Sequence, residues 1–208
     1  MPETSPVMSR PTHELSPTEE AGLVEDLRQA RPAAFERLVR GSAPRVLATC
    51  RRILGNEADA HDAVQDAFLS AFRSIGSFQR SSRLATWLHR IAVNAALMRL
   101  RTRRRRPERS IEELLPTYHA DGHRVDPREA WSAGDESALE REERRELVHR
   151  ALDQLPDDYR TVIVLRDLES LDTDEVAALL GTTAGAVKTR LHRARQALRT
   201  LLEQEFLP

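Results

Sequence analysis

Apolar side chains return every third or fourth residue through most of this 208-residue chain, and no sustained two-residue alternation appears. That spacing predicts helices with one buried stripe and gives no strand of any weight. Ser16-Pro17-Thr18-Glu19 reads as a helix start, with Ser as N-cap, Pro at the first helical position and Glu three residues after the cap; Leu23, Val24 and Leu27 continue it. A second helical region covers about 33 to 54, with Phe35, Leu38, Val39, Val46, Leu47, Cys50 and Ile53 on its apolar side, and Pro44 is expected to bend or interrupt it. Asn56 caps a helix over 57–72, whose Ala60, Val64, Ala67, Phe68, Ala71 and Phe72 are available for a core. The helix over 84–102 is expected to bury Leu84, Trp87, Leu88, Ile91, Ala95 and Met98.

Helical spacing resumes at Glu140. Leu147, Val148, Ala151, Leu152 and Leu155 make one helix stopped by Pro156, and Tyr159 to Leu168 another. Asp172 with Glu175 forms a capping box for a short helix, Thr173 to Leu180; Gly181-Thr182-Thr183 turns the chain, and Thr183 caps a final helix with Val187, Leu191, Ala194, Leu198 and Leu201 inside. The fold class is therefore all-α: two small helical domains joined by an acidic linker, the C-terminal one containing a helix-turn-helix. The expected divisions are a disordered N-terminus over 1–15, a first domain over 16–106, the linker over 107–140 and a second domain over 141–208.

Charge changes this picture. The formal net charge is only −1, which by itself argues against a nucleic-acid partner. The signs are segregated, however. No acid occurs between Asp66 and Glu108, a stretch holding ten arginines, whereas residues 107–140 carry nine acids against three bases. Along 84–102 the edge of the apolar stripe presents Arg83, Arg90, Asn94 and Arg101, with Thr86 and Trp87 near its start. Such an edge neutralises phosphates and stacks on or hydrogen-bonds to bases. A basic edge alone favours a solvated face on an ordinary core helix. The second signature decides: the helix after the turn offers Thr183, Lys188, Thr189, Arg190, His192 and Arg193, and no acid lies between Val176 and Leu202. That suits a recognition helix in a major groove.

Other chemistry is excluded or bland. One cysteine, Cys50, allows no internal disulfide and reads as a small core residue. The seven histidines are scattered without ligand spacing, so no metal, cofactor or catalytic constellation is expected. No apolar run is long enough to span a bilayer and no signal core opens the chain, so no membrane partner is expected and the location is expected to be cytoplasmic. Asp59, Asp62 and Asp66, with the neighbouring Gln65, form an acidic face on the 57–72 helix, readable as solvated surface or as a dock for a basic partner helix.

The segment 155–199, with DAVQDAFLSAF (62–72), Phe78 and TWLHRIAVNAALMRLRTRRRR (86–106), resembles the extracytoplasmic-function, or group 4, sigma factors of the sigma-70 family. The resemblance implies a non-enzymatic sigma factor that directs bacterial RNA polymerase to specific promoters and initiates transcription. Asp62, Gln65 and Asp66 would dock on the β′ clamp helices of the core polymerase, with the β flap a further contact. Phe78, Arg83, Thr86, Trp87, Arg90, Asn94 and Arg101 would bind the melted −10 element. Thr183, Lys188, Thr189, Arg190, His192 and Arg193 would read the −35 duplex. An anti-sigma factor is a possible further partner in such a family. Met98 stands where many members carry a polar residue. The alternative is a stand-alone helix-turn-helix regulator, which would need its sensor or dimerisation domain within residues 20–106. The linker is expected to fold over its neighbours or follow the RNA channel, its acidity mimicking nucleic acid.

Overall fold

The computed structural model describes residues 15–103, 110–116 and 138–205. The N-terminal stretch expected to be disordered, the arginines 104–106 and most of the linker lie outside them. Eight helices are described: α1 (Pro17–Arg28), α2 (Pro32–Leu54), α3 (Glu57–Ser74), α4 (Leu84–Thr102), α5 (Ala138–Asp153), α6 (Asp157–Ile163, continued by a π-helical segment Val164–Leu168), α7 (Thr173–Leu180) and α8 (Ala184–Glu205). The described residues contain no strand.

Local chemistry sets most boundaries. The Ser16 hydroxyl accepts from the Glu19 amide while the Glu19 carboxylate accepts from the Ser16 amide, closing the capping box. Asn56 caps α3 through the Asp59 amide at 2.9 Å. Asp172 and Glu175 form the second box, and Gly181, left-handed at φ +63°, ends α7. Thr183 accepts from the Ala186 amide at 3.2 Å to start α8. Pro44 does not interrupt α2. The helix runs unbroken from Pro32 to Leu54 because Leu38 on one side of the proline, and Val46, Cys50, Ile53 and Leu54 on the other, are all buried. A missing amide costs about 3 kcal/mol, which burying several such side chains at about 1.5–3 kcal/mol each offsets.

In the front half, α2, α3 and α4 pack on one another with α1 against α2. The α3–α4 seam is built from small residues: Ala60, Ala63, Ala67 and Ala71 on α3 and Ala92 and Ala96 on α4 are buried. In the tail half, α8 packs on α5, α6 and α7. The halves meet where α6 lies on α2. There the buried Arg160 guanidinium donates to the carbonyls of Ile53 (3.2 Å) and Leu54 (3.3 Å) at the open end of α2, while also pairing with Asp157. Glu169, whose side chain is 7% exposed, accepts from the Thr49 hydroxyl at 3.2 Å and from Arg52 at 3.1 Å, with His89 Nε2 at 3.5 Å. The front half thus completes its hydrogen bonding with groups from the tail.

Candidate nucleic-acid interface

The helix α4 turns a different stripe to the core than its apolar spacing predicts. Leu84, Leu88, Ala92, Val93, Ala96 and Leu97 are buried. Trp87, Ile91 and Ala95 are only partly covered and Met98 is 64% exposed. The expected stripe is correct at Leu84 and Leu88 and displaced by about one residue beyond them. Ile91, Ala95 and Met98 instead wall a groove of about 600 Å³ with Asp66, Asn94 and Arg99. On α3, Phe72 is likewise not core: it is 46% exposed, with an edge-on contact to Phe35 at 5.1 Å.

Along the exposed edge of α4 stand Thr86, Arg90, Asn94 and Arg101. Two of the arginines are held by the tail half. Arg90 Nη2 donates to Glu175 at 2.8 Å and Arg101 Nη2 to the carbonyl of Leu179 at 2.7 Å. Two other residues have structural work. Arg83 donates to Glu20 (2.7 Å) and to the carbonyl of Leu15 (2.6 Å), and Glu20 also accepts the Leu84 amide at 2.8 Å. So a carboxylate from α1 caps α4, a role hidden in the sequence because it spans 64 residues. Phe78 is the clear correction: it is 3% exposed, with its ring 5.2 Å from that of Trp87, and lies in the core rather than where a base could stack on it. Trp87 is half-buried beside it.

Asp62, Gln65 and Asp66 share an exposed face of α3. Arg99 of α4 bridges the two carboxylates at 2.9 Å each. The side-chain hydrogen bond and the charges of Asp66 and Asp62 raise the Arg99 pKa above its usual value although partial desolvation opposes them.

Thr183, at the cap of α8, and Lys188, Thr189 and His192 on the helix are exposed, and Arg190 is half-buried with Asp158 at 4.0 Å. The Thr189 hydroxyl donates back to the carbonyl of Gly185 at 3.1 Å. Arg193 is engaged on two sides: Nη2 donates to Glu112 at 2.5 Å and Nη1 to the Tyr159 hydroxyl at 3.4 Å. Hydrogen bonds from Ser110 and Arg193 bring the Glu112 carboxyl down to about 2. Among the described residues no group of His, Cys, Asp and Glu could hold a metal, and no helix is long and apolar enough to cross a membrane.

An acidic helix face, a basic and amide-bearing helix edge, and a capped helix-turn-helix in that order define a promoter-recognition protein. Two family models match the chain, sigma-70 region 2 over residues 38–106 and sigma-70 region 4 over residues 145–198. The RNA polymerase sigma-H factor of Pseudomonas aeruginosa is 33% identical over 190 residues, covering 91% of this chain and 96% of its own. The ECF RNA polymerase sigma-E factor of Escherichia coli is 34% identical over 181 residues, covering 85% and 90%. Among solved structures, CnrH in complex with the cytosolic domain of CnrY superposes with a TM-score of 0.51 at 26% identity, over 89% of this chain and 98% of that one. The sigma factor RpoE of Bartonella quintana, in complex with the anti-sigma factor NepR, gives 0.51 at 25% identity, over 81% and 96%.

The chain belongs to the sigma-70 family. Within it, this is an extracytoplasmic-function sigma factor, a subunit that directs RNA polymerase to promoters. The stand-alone regulator is not favoured, because the region 2 match occupies residues 38–106, where a separate sensor domain would have had to lie.

Proposed function

We propose that this sigma factor divides promoter recognition between its two helical units, 16–106 and 141–208, as follows. The edge of α4 carrying Thr86, Arg90 and Asn94, with Trp87 beside it, holds the separated −10 strand. The face of α8 carrying Lys188, Thr189, Arg190, His192 and Arg193 reads the −35 duplex. The acidic face of α3 docks on the polymerase β′ clamp helices, and the tail half on the β flap. Arg83 and Arg101 contribute charge at the ends of α4, and Phe78 acts from the core by fixing the indole of Trp87.

The observation that carries this reading is the coexistence in one chain of two helix edges of different DNA-type chemistry, neither of which bears an acid of its own within 84–102 or 184–202. On α4, Asn94 and Thr86 with arginines suit unstacked bases and phosphates; α8 follows a capped short helix and a left-handed glycine, the arrangement that delivers a helix into a major groove. Promoter binding by these surfaces needs no catalysis by the chain itself, and it takes place with the polymerase in the cytoplasm. An anti-sigma factor is a further partner, in keeping with the complex formed by the Bartonella relative.

Core RNA polymerase transcribing pooled promoter fragments with and without the protein tests this. New start sites are expected only with it. Arg90→Ala and Asn94→Ala should slow strand opening more than closed-complex formation, and Lys188→Ala should weaken upstream binding first. Equal effects on both steps would overturn the division of labour.

A further inference from the structure

Residues 110–116, the described part of the acidic linker, lie on α8. Ser110 caps a single 3₁₀ turn, Ile111–Leu114, whose two apolar residues are 4% and 3% exposed and belong to the same core as Leu191, Ala194 and Ala197 of α8. Between these anchors Glu112 points outward and receives Arg193 at 2.5 Å, with the Ser110 hydroxyl on its other oxygen at 2.5 Å. Nη1 of Arg193 donates to the Tyr159 hydroxyl at 3.4 Å, and the Tyr159 ring centre lies 6.0 Å from the guanidinium carbon. An arginine on the proposed duplex-reading face is thus occupied by a carboxylate, the acceptor chemistry that a DNA phosphate would bring.

We propose that residues 110–116 are an internal competitor for duplex DNA: Ile111 and Leu114 moor the turn to α8, and Glu112 masks Arg193 until the turn lifts away. This rests on the reading of α8 as the duplex-binding helix. An exposed ion pair alone is weak, and its strength here comes from tethering. Ile111 and Leu114, buried in the core that α8 shares, hold the carboxylate beside Arg193, and a duplex must displace it for a non-specific contact whose dissociation constants are only roughly 10⁻⁴ to 10⁻⁶ M. A mask of this kind suppresses stray binding and yields to a cognate site or to the polymerase. The contact of Glu175 with Arg90 at 2.8 Å places a second carboxylate on the other DNA-type edge in the same conformation.

The test is fluorescence anisotropy of the full chain with a labelled mixed-sequence 30-base-pair duplex, titrated at several salt concentrations. Glu112→Gln and Ile111→Ser/Leu114→Ser are each expected to bind about three- to tenfold more tightly, with a salt slope steeper by up to about 0.9, the release expected for one additional phosphate contact. In an Arg193→Ala background the gain from Glu112→Gln should vanish, since the carboxylate then masks nothing. A gain that persists there is bulk charge and overturns the mask. Unchanged binding by both linker variants also overturns it. If Lys188→Ala nonetheless weakens binding, α8 remains the duplex-reading helix; if Lys188→Ala too is without effect, that reading falls as well.

Discussion

Gly55 and Arg160 fit each other closely across the junction of the two halves. Gly55 is left-handed at φ +59°, and a Cβ there would stand 2.8 Å from Nη1 and 2.9 Å from Cζ of the guanidinium. That guanidinium is 4% exposed and serves the last carbonyls of α2. Gly55→Ala therefore meets two penalties, about 1–2 kcal/mol for the left-handed backbone and displacement of a buried charge. Arg160→Ala is expected to cost about 3–5 kcal/mol by leaving Asp157 and two carbonyls short of a partner. The double variant should be less destabilised than the sum, because the clash disappears with the side chain. Urea unfolding of the four proteins measures this, and strict additivity would show that the two do not touch.

The Glu169 cluster predicts a pH dependence. Burial lowers the His89 pKa below its usual 6.5, against the pull of Glu169 and with the help of Arg45 and Arg90. His149 is lowered too, by desolvation first and then by Arg52. The unfolded chain then takes up protons near 6.5 that the folded chain refuses. The stabilising contribution is complete above that value and declines as pH falls toward the lower folded pKa. The urea midpoint should drop between pH 7.5 and 5.5, and His89→Gln should shrink the drop while leaving the share of His149. A midpoint no less sensitive in that variant would assign the effect elsewhere.

The pairing of Arg99 with Asp62 and Asp66 separates docking from stability. Their side chains are 53% and 51% exposed, so the pairs contribute about 0–1 kcal/mol at most. Asp62→Asn/Asp66→Asn should leave the melting temperature nearly unchanged. Affinity for core polymerase should fall about tenfold or more, the loss of charge-assisted contacts. Arg99→Ala, which removes the competing guanidinium, should not weaken docking. Size-exclusion or surface-plasmon measurements with core enzyme decide the matter.

Cys50 is fully buried, its Sγ 3.9 Å from the carbonyl of Ala92, and desolvation with the nearby Glu169 carboxylate pushes its thiol up to about 12. Almost none is ionised at pH 8, and the thiolate is the reactive form. A disulfide reagent should leave the native protein unlabelled and react fully in denaturant. Rapid labelling without denaturant would mean that the front half opens readily.

Caps were the most legible features, since Ser16, Asn56, Asp172 and Thr183 each bond within three residues and the spacing alone displays it. The buried stripe of α4 was not legible. Leu84 and Leu88 suit either phase, and the decision fell to alanines: Ala92 and Ala96 let α4 approach the alanines of α3 closely, leaving the bulkier Ile91 and Met98 outside. Apolar spacing weighs large side chains and overlooks that small ones fix a close helix seam. The exposure of Lys188, Thr189 and His192 on α8 was legible from their polar chemistry, opposite the apolar series that starts at Val187. The bonds occupying Arg90, Arg101 and Arg193 were hidden, because each joins groups about 80 residues apart.

Glu169 reaches from the tail half to Thr49, Arg52 and His89 at once. A hybrid joining this front half to the tail of another sigma factor would bring a guanidinium and an imidazole together with nothing opposite them, unless the incoming tail carried a carboxylate at that spot and an arginine for the end of α2. Exchanging halves to combine promoter preferences therefore works only with tails that supply both groups, and the two units behave as a matched pair rather than interchangeable modules.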